Sequence, residues 1–542
     1  MDRIEGQPRQ RAVTSNHRWI TGLHRTATLF LVVLVLGWSL LLPTPAAQAR
    51  TVEPAPPSIE PESIQPYLDR VADGVTEFTL DNGMKFIVLE RHQAPVVSFM
   101  IYANVGAVDE ADGKTGVAHY LEHLAFKGTS QIGTTNYAAE KALLAQMDAT
   151  FAQLKVAEKA GDQATVAQLQ AELEALQQEA ASYVEQNKYG QIIEQAGGVG
   201  LNATTSADAT RYFYSLPSNK LELWMSLESE RFLDPVFREF FEEKQVILEE
   251  RRMRVDNSPI GTMVEEFLAA SFDNHPYRRP VIGYQEDLFN ATRADIQEFY
   301  DTYYGPGNLT AVVVGDVDPA EVEAMAQVYF GRYVPRPEPP ELVINEPLQT
   351  EPREFILELD SEPWYLEGYH RPGLTHPDHV IYGMIDSLLA AGRTSRLYKT
   401  LVSDRQVALS VGSLNGFPGD KYENIFLLYG LTAPGNTPDD IARLFAEELQ
   451  RLQQEPVSQA ELDRVKTQAR AGLLRSLDSN SGMAALLAEY EAKTGSWRNV
   501  FKDLEAIDAV TAEAVQRVAQ DLFRDANRTV GKLLPTGEAA ES

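Results

Sequence analysis

Between residues 335 and 341 the chain reads Pro-Arg-Pro-Glu-Pro-Pro-Glu, a run that neither a helix nor a central strand accommodates. Proline lacks an amide proton and fixes its own φ near about −65°, so closely spaced prolines hold the backbone extended. The segment divides a chain of 542 residues into two stretches, each long enough for a core and together too long for one. Strand-like and helix-like patterns intermix in both. The expected fold is α+β: two similar domains, 71–335 and 354–536, each a mixed, mostly antiparallel sheet packed with helices. Residues 336–353 form the linker. Spacing alone does not reveal whether the two halves repeat one another.

In the first stretch, alternating apolar residues at 75–80 and 84–90 flank Asp81-Asn82-Gly83, the composition of a tight antiparallel hairpin. Residues 96–105 read as a strand and 116–126 as a helix. Strand patterns return at 200–204 and 211–216, and helical patterns at 221–231 and 239–256. The run 309–314 is apolar enough for a buried strand.

Residues 135–190 differ in character, being rich in Ala, Gln, Glu and Leu and nearly free of Gly and Pro. Leu144, Met147, Phe151 and Leu154 recur at spacings of three and four, as do Val166, Leu169, Leu173, Leu176, Ala180 and Val184. Gly161-Asp162 separates the two runs. The segment 136–190 is therefore expected to be an antiparallel, coiled-coil-like helical hairpin inserted in the first domain. Such a hairpin serves either as a spacer or as a docking element.

Arg3, Arg9, Arg11, Arg18 and Arg25 precede an apolar run at 29–42, then Pro43-Thr44-Pro45 and Ala47-Gln48-Ala49. That order is a secretory signal peptide cut after Ala49, and the run is shorter than the about 20 residues of a spanning helix. An uncleaved anchor is the alternative. A Pro-rich tether, 50–70, leads to the first domain, and the mature protein is expected to be exported, periplasmic or extracellular. The chain has no cysteine, which excludes disulfides, thiolate metal sites and cysteine nucleophiles. A formal charge of −30 argues against nucleic acid or an anionic membrane as partner.

A transition-metal site must then be built from His and carboxylates. His119 and His123 stand four apart in the 116–126 helix, so they share a face and can grip one zinc ion. Glu122 faces the same way, where it can take a proton from water. The third ligand should be a carboxylate on a later helix. Glu242 and Glu249 lie two turns apart on one face of the 239–256 helix, so one could ligate and the other support it. His92 and His275 read as solvated or packed loop residues.

The order His-x-x-Glu-His is a recognised signature, and residues 116–129 as a whole resemble the active-site helix of the pitrilysin (insulinase) family. That family includes the mitochondrial processing peptidases. Gly197-Gly198-Val199-Gly200-Leu201-Asn202-Ala203 is similar to its substrate-pairing edge strand. Tyr304-Gly305-Pro306-Gly307-Asn308, with Val312-Val313-Val314-Gly315-Asp316, is similar to the end of its first domain. Gly392-Arg393-Thr394-Ser395-Arg396-Leu397-Tyr398 resembles a segment of its second. The resemblance covers nearly the whole mature chain. It implies a short, two-domain zinc endopeptidase acting on unfolded or small peptides, with one Zn2+ per chain. His119 and His123 would be zinc ligands, and Glu122 the general base that takes a proton from water and passes it to the leaving amine. The family's Val-x-x-Glu context falls on Val246-Ile247-Leu248-Glu249. Glu249 would then be the third ligand, and Glu242, seven residues earlier, the supporting catalytic carboxylate. Asn202 and Ala203 would bind the substrate backbone.

The chain departs from the family in two places. The 136–190 insertion lengthens the interval between His123 and Glu249, and is expected to project from the domain. Active relatives also carry an Arg and, seven residues later, a Tyr that hold substrate and stabilise the oxyanion. Val402 and Leu409 occupy those positions here, and neither side chain donates a hydrogen bond. The resemblance thus implies a heterodimer with a paralogous subunit supplying Arg and Tyr, or else a homodimer with other donors. Two further readings remain: a non-catalytic binding or assembly subunit, and an envelope adaptor working through the hairpin.

Overall fold

The Asn-Gly turn closes a hairpin in which β1 (Val75–Thr79) pairs antiparallel with β2 (Lys85–Glu90). The structure, a computed structural model, describes residues 70–536. The expected signal peptide, and all but the last residue of the tether, lie outside the described residues. β3 (Val96–Ala103), β4 (Val199–Thr205), β5 (Thr210–Pro217) and β6 (Leu309–Gly315) complete a sheet ordered β1-β2-β6-β3-β5-β4. Its pairings are antiparallel except β2 with β6.

The second half supplies β7 (Arg353–Leu359), β8 (Trp364–Arg371), β9 (Ala408–Phe417), β10 (Asn424–Thr432) and β11 (Arg528–Pro535), ordered β7-β11-β8-β10-β9. Again one pair, β7 with β11, is parallel. With β1 set aside, each sheet takes its first, last, second, fourth and third strand in that spatial order. The halves therefore repeat one topology, and connections of very different length hide the repeat from a reading of spacing.

The helices that position the site are α1 (Val117–Leu124), α2 (Tyr137–Ala160), α3 (Gln163–Ala181), α4 (Phe240–Arg251), α5 (Pro259–Ser271) and α6 (Asn480–Thr494). On one face of the first sheet Phe86, Val97, Phe99 and Val313 pack with α1 and α4. On the other, Met100, Val312 and Val314 pack against Met483 and Leu487 of α6. In return, Met263, Phe267 and Leu268 of α5 cover Leu366, Ile425 and Leu533 of the second sheet. Each half thus lends a helix to the other half's sheet. Burying each such side chain contributes about 1.5–3 kcal/mol, so the halves are held as one body despite the proline run.

The inserted hairpin forms, with α2 ending on Gly161 at φ +71° and α3 capped by Asp162, whose side chain accepts from the Thr165 amide. It is shorter than expected. α3 stops at Ala181, the Thr135 amide donates to the Tyr183 carbonyl at 2.8 Å to close the base, and Lys188–Gln195 is a separate helix leading to β4. Nor does it stand off from the domain. The Phe151 ring lies 5.1 Å from Phe241, Lys244 sits 4.3 Å over Phe151, and Gln177 donates to Glu242 at 3.2 Å. The hairpin's apolar stripe has a partner in α4, which is why it folds back onto the domain.

At its base, Arg238 is buried. Its guanidinium donates to Glu140 at 2.7 Å and to the carbonyls of Thr129 at 2.6 Å and Ile132 at 3.1 Å. One side chain therefore ties the hairpin and the loop after α1 to the start of α4. Arg238→Met leaves the Glu140 carboxylate buried without its cation, and should cost about 3–5 kcal/mol of stability in urea unfolding. A loss below about 1 kcal/mol would contradict this role.

Candidate metal centre

α1 is short, and its position is dictated at both ends. Gly116 begins it at φ +84°, where a Cβ would lie 2.6 Å from the Ile282 carbonyl oxygen. The buried Glu110 carboxylate accepts from the amides of Gly116 and Ala118 at 2.9 and 2.8 Å, satisfying donors that a helix start leaves open. Val117, Ala118, Tyr120, Leu121 and Leu124 are buried, which leaves His119, Glu122 and His123 on the remaining face. The Tyr120 ring stacks on Phe240 at 4.7 Å, and its hydroxyl donates to the Phe240 carbonyl. That double contact fixes α4 against α1 in both rotation and height.

With α4 so held, Glu250 meets the histidine pair. His119 Nε2 and His123 Nε2 lie 3.8 and 3.7 Å from Glu250 Oε2. Ligands of a tetrahedral zinc at about 2.0–2.1 Å stand about 3.4 Å apart, so both histidine–carboxylate separations are close to those an ion requires, and all three atoms lie within 4.8 Å of one another. Among the described residues these three alone form a cluster suited to a metal ion. For His123 and Glu250 the outer atoms are held as well, whereas His119 Nδ1 is buried without a hydrogen-bond partner. His123 Nδ1 lies 3.0 Å from Glu243 Oε2, Lys127 Nζ is 2.5 Å from Glu243 Oε1, and the Arg254 guanidinium forms an ion pair with Glu250 Oε1 at 2.8 Å. The Glu243 contact places the His123 proton on Nδ1 and turns Nε2 inward.

Electrostatics match that arrangement. Burial, with His123 and Arg254 nearby, pushes His119 down to about 3, keeping it neutral and able to ligate. Burial pushes the Glu122 carboxyl up against a hydrogen bond from the Thr205 hydroxyl at 2.7 Å. For Glu243, the bonds from His123 and Lys127 outweigh burial and hold it below the usual range. A cavity of about 330 Å³ opens beside Glu122 and His123, walled by Phe126, Lys127 and Glu239.

The expected third ligand, Glu249, is not at the centre. It is half exposed and paired with Arg252 at 2.7 Å. Glu242 likewise faces the hairpin, bonded to Gln177, and Glu243 holds the place expected of it. Residues 242, 246, 249 and 253 form the outer stripe of the helix, with Val246 and Met253 about half exposed. Both ends of the segment carry a Glu-Glu doublet, and one residue along a helix is a rotation of about 100°. Ile247-Leu248-Glu249-Glu250 fits the same spacing with Ile for Val. Burial of Phe240, Lys244 and Ile247 on the inner side selects that register. Asn202 and Ala203 lie on β4, the edge strand of the first sheet. His92 is exposed between Glu90 and Asp316, and His275 is buried beside Phe272 and Tyr277, so neither reaches the centre.

Two family models match the chain. Insulinase (Peptidase family M16) covers residues 85–151 and 173–285, and Peptidase M16 inactive domain covers 290–469. The unmatched interval 152–172 is the outer part of the helical hairpin. Among curated proteins, "Zinc protease PqqE" of Helicobacter pylori is 29% identical over 84% of this chain and 92% of its own length. "Probable mitochondrial-processing peptidase subunit beta" of Schizosaccharomyces pombe is 25% identical over 82% and 88%. Among solved structures, a protease from Helicobacter pylori superposes with a TM-score of 0.72 at 27% identity, covering 85% of this chain and 99% of that one.

Gly116→Ala tests the placement of α1. The left-handed backbone and the close carbonyl predict a loss of at least about 1 kcal/mol in thermal or urea unfolding, and an unchanged midpoint would contradict it.

Proposed function

The chain belongs to peptidase family M16, and on that premise we propose that it is a zinc-dependent endopeptidase for unfolded or small peptides. The observation that carries the proposal is the convergence of His119 Nε2, His123 Nε2 and Glu250 Oε2, with His123 and Glu250 each held from outside by a partner of its own. A bound zinc ion would supply Lewis acidity, polarising a carbonyl and acidifying water. Glu122 stands on the same face as the base that takes the water proton and returns it to the leaving amine, and its raised affinity for protons suits both steps. Glu243 keeps His123 in the ligating tautomer. β4 offers an unpaired edge whose last residue, Thr205, bonds Glu122, so a peptide paired there passes over the centre. Only an extended backbone can make that pairing.

The reading extends to location and partnership. The pattern within residues 1–49 supports export, and among the described residues no helix is long and apolar enough to cross a membrane. Leu409 is exposed on edge strand β9 and Val402 is half-buried in the second core, so neither position supplies an oxyanion donor. A relative is named as one subunit of a processing peptidase. Both points support a catalytic subunit completed by a paralogue that carries the donors.

Metal analysis of the mature chain should find one zinc, retained in Glu249→Ala and lost in Glu250→Ala. The opposite pattern would reverse the ligand assignment. Glu243→Gln should weaken zinc about 10–100-fold in chelator competition. Glu122→Gln should keep zinc and lose peptide cleavage by about 100-fold or more. Adding a paralogue with the Arg and Tyr should raise turnover sharply, and full activity of the chain alone would refute the heterodimer.

A further inference from the structure

We infer that the face of β4 turned away from the metal centre is a second side-chain subsite, selecting large apolar residues in a peptide bound along that strand. The inference rests on the reading of β4 as the peptide-pairing edge. β4 carries a bulge: Val199 pairs with Ser215 and Asn202 with Phe213, one extra residue on the β4 side, with Gly200 at φ +69°. The extra residue places Val199, Asn202 and Thr204 on one face, opposite Ser215, Phe213 and Arg211. Ala203 and Thr205 point the other way, toward α1, where Ala203 joins the core and Thr205 bonds Glu122.

On the outer face α6 crosses β3 and β6 but stops short of covering β5 and β4. The gap is a trough of about 490 Å³, within the about 300–1,000 Å³ range of ligand sites. Its floor is Met100, Phe213 and Ser215, its far wall Ala484 and Ala485 of α6, and Val199 stands at the rim. Arg211 lines one end, its Nε bonded to Thr204 at 3.2 Å. A strand added at about 4.8 Å from β4 repeats the alternation of the sheet. Every second side chain then faces α1 and the metal centre, and the intervening ones face the trough. The floor is mostly apolar, through Met100 and Phe213, and favours Leu, Met or Phe there over Lys or Arg, whose charge it would strip of water.

The test uses the zinc-loaded mature chain carrying Glu122→Gln, which separates binding from turnover. Fluorescein-labelled alanine decapeptides carry a single Leu, Phe, Arg or Asp at successive positions, and affinity is read by fluorescence polarisation. Leu and Phe should tighten binding about tenfold or more at one position, and Arg should not. Ala485→Trp, which fills the trough, should remove the gain. Ser215→Asp, which puts a carboxylate on its floor, should transfer the preference to Arg and serves if the tryptophan variant misfolds. Equal affinity for Leu and Ala at every position would overturn the subsite, as would a gain that survives both variants. A trough-dependent gain alongside no cleavage by the wild type, with or without a partner, would leave the subsite standing and remove the peptidase reading. Cleavage with no trough-dependent preference would do the reverse.

Discussion

The contact between Tyr120 and Phe240 sets the candidate centre. Stacking at 4.7 Å and the hydroxyl bond to the Phe240 carbonyl lock the first turn of α4 to the middle of α1. Everything further along α4 then has a fixed angle about the helix axis. Glu243 falls beside His123 and Glu250 beside both histidines, while Glu242 and Glu249 rotate outward. Two helices far apart in sequence thereby contribute to one three-atom cluster without any loop having to be precise, which is how a site gains rigidity from its scaffold.

The surroundings reinforce that lock from behind. Arg251 reaches Glu265 at 2.8 Å and the Gly283 carbonyl at 2.7 Å, joining the end of α4 to α5. α5 is in turn the helix lent to the second sheet. The hairpin, through Phe151, packs on Phe241 and Lys244 of α4. An insertion that looks like an appendage in sequence therefore lies against the helix that carries Glu250, and its outer part falls where the family model has no counterpart.

Much of this was legible in the residues. The Asn-Gly hairpin, the helix with His119, Glu122 and His123, the break at Gly161 and the mixture of strands and helices in both halves all follow from periodicity and turn chemistry. Local pattern did not reach three things. The repeat of topology between the halves is a matter of strand order, which sequence spacing does not encode. The resting place of the hairpin depends on a tertiary partner, α4, rather than on its own stripe. Glu250 was displaced by its neighbour because two Glu-Glu doublets permit two registers, and the choice between them is made by burial of Phe240, Lys244 and Ile247. That stripe was present in the sequence, and weighing it above the Val-x-x-Glu context selects Glu250.

X-ray absorption at the zinc edge, on the zinc-loaded protein, tests the central claim most directly. The account predicts a first shell of two imidazole nitrogens and carboxylate or water oxygens at about 2.0–2.1 Å. A chain that takes up no zinc, or a first shell with no imidazole scattering, would contradict it.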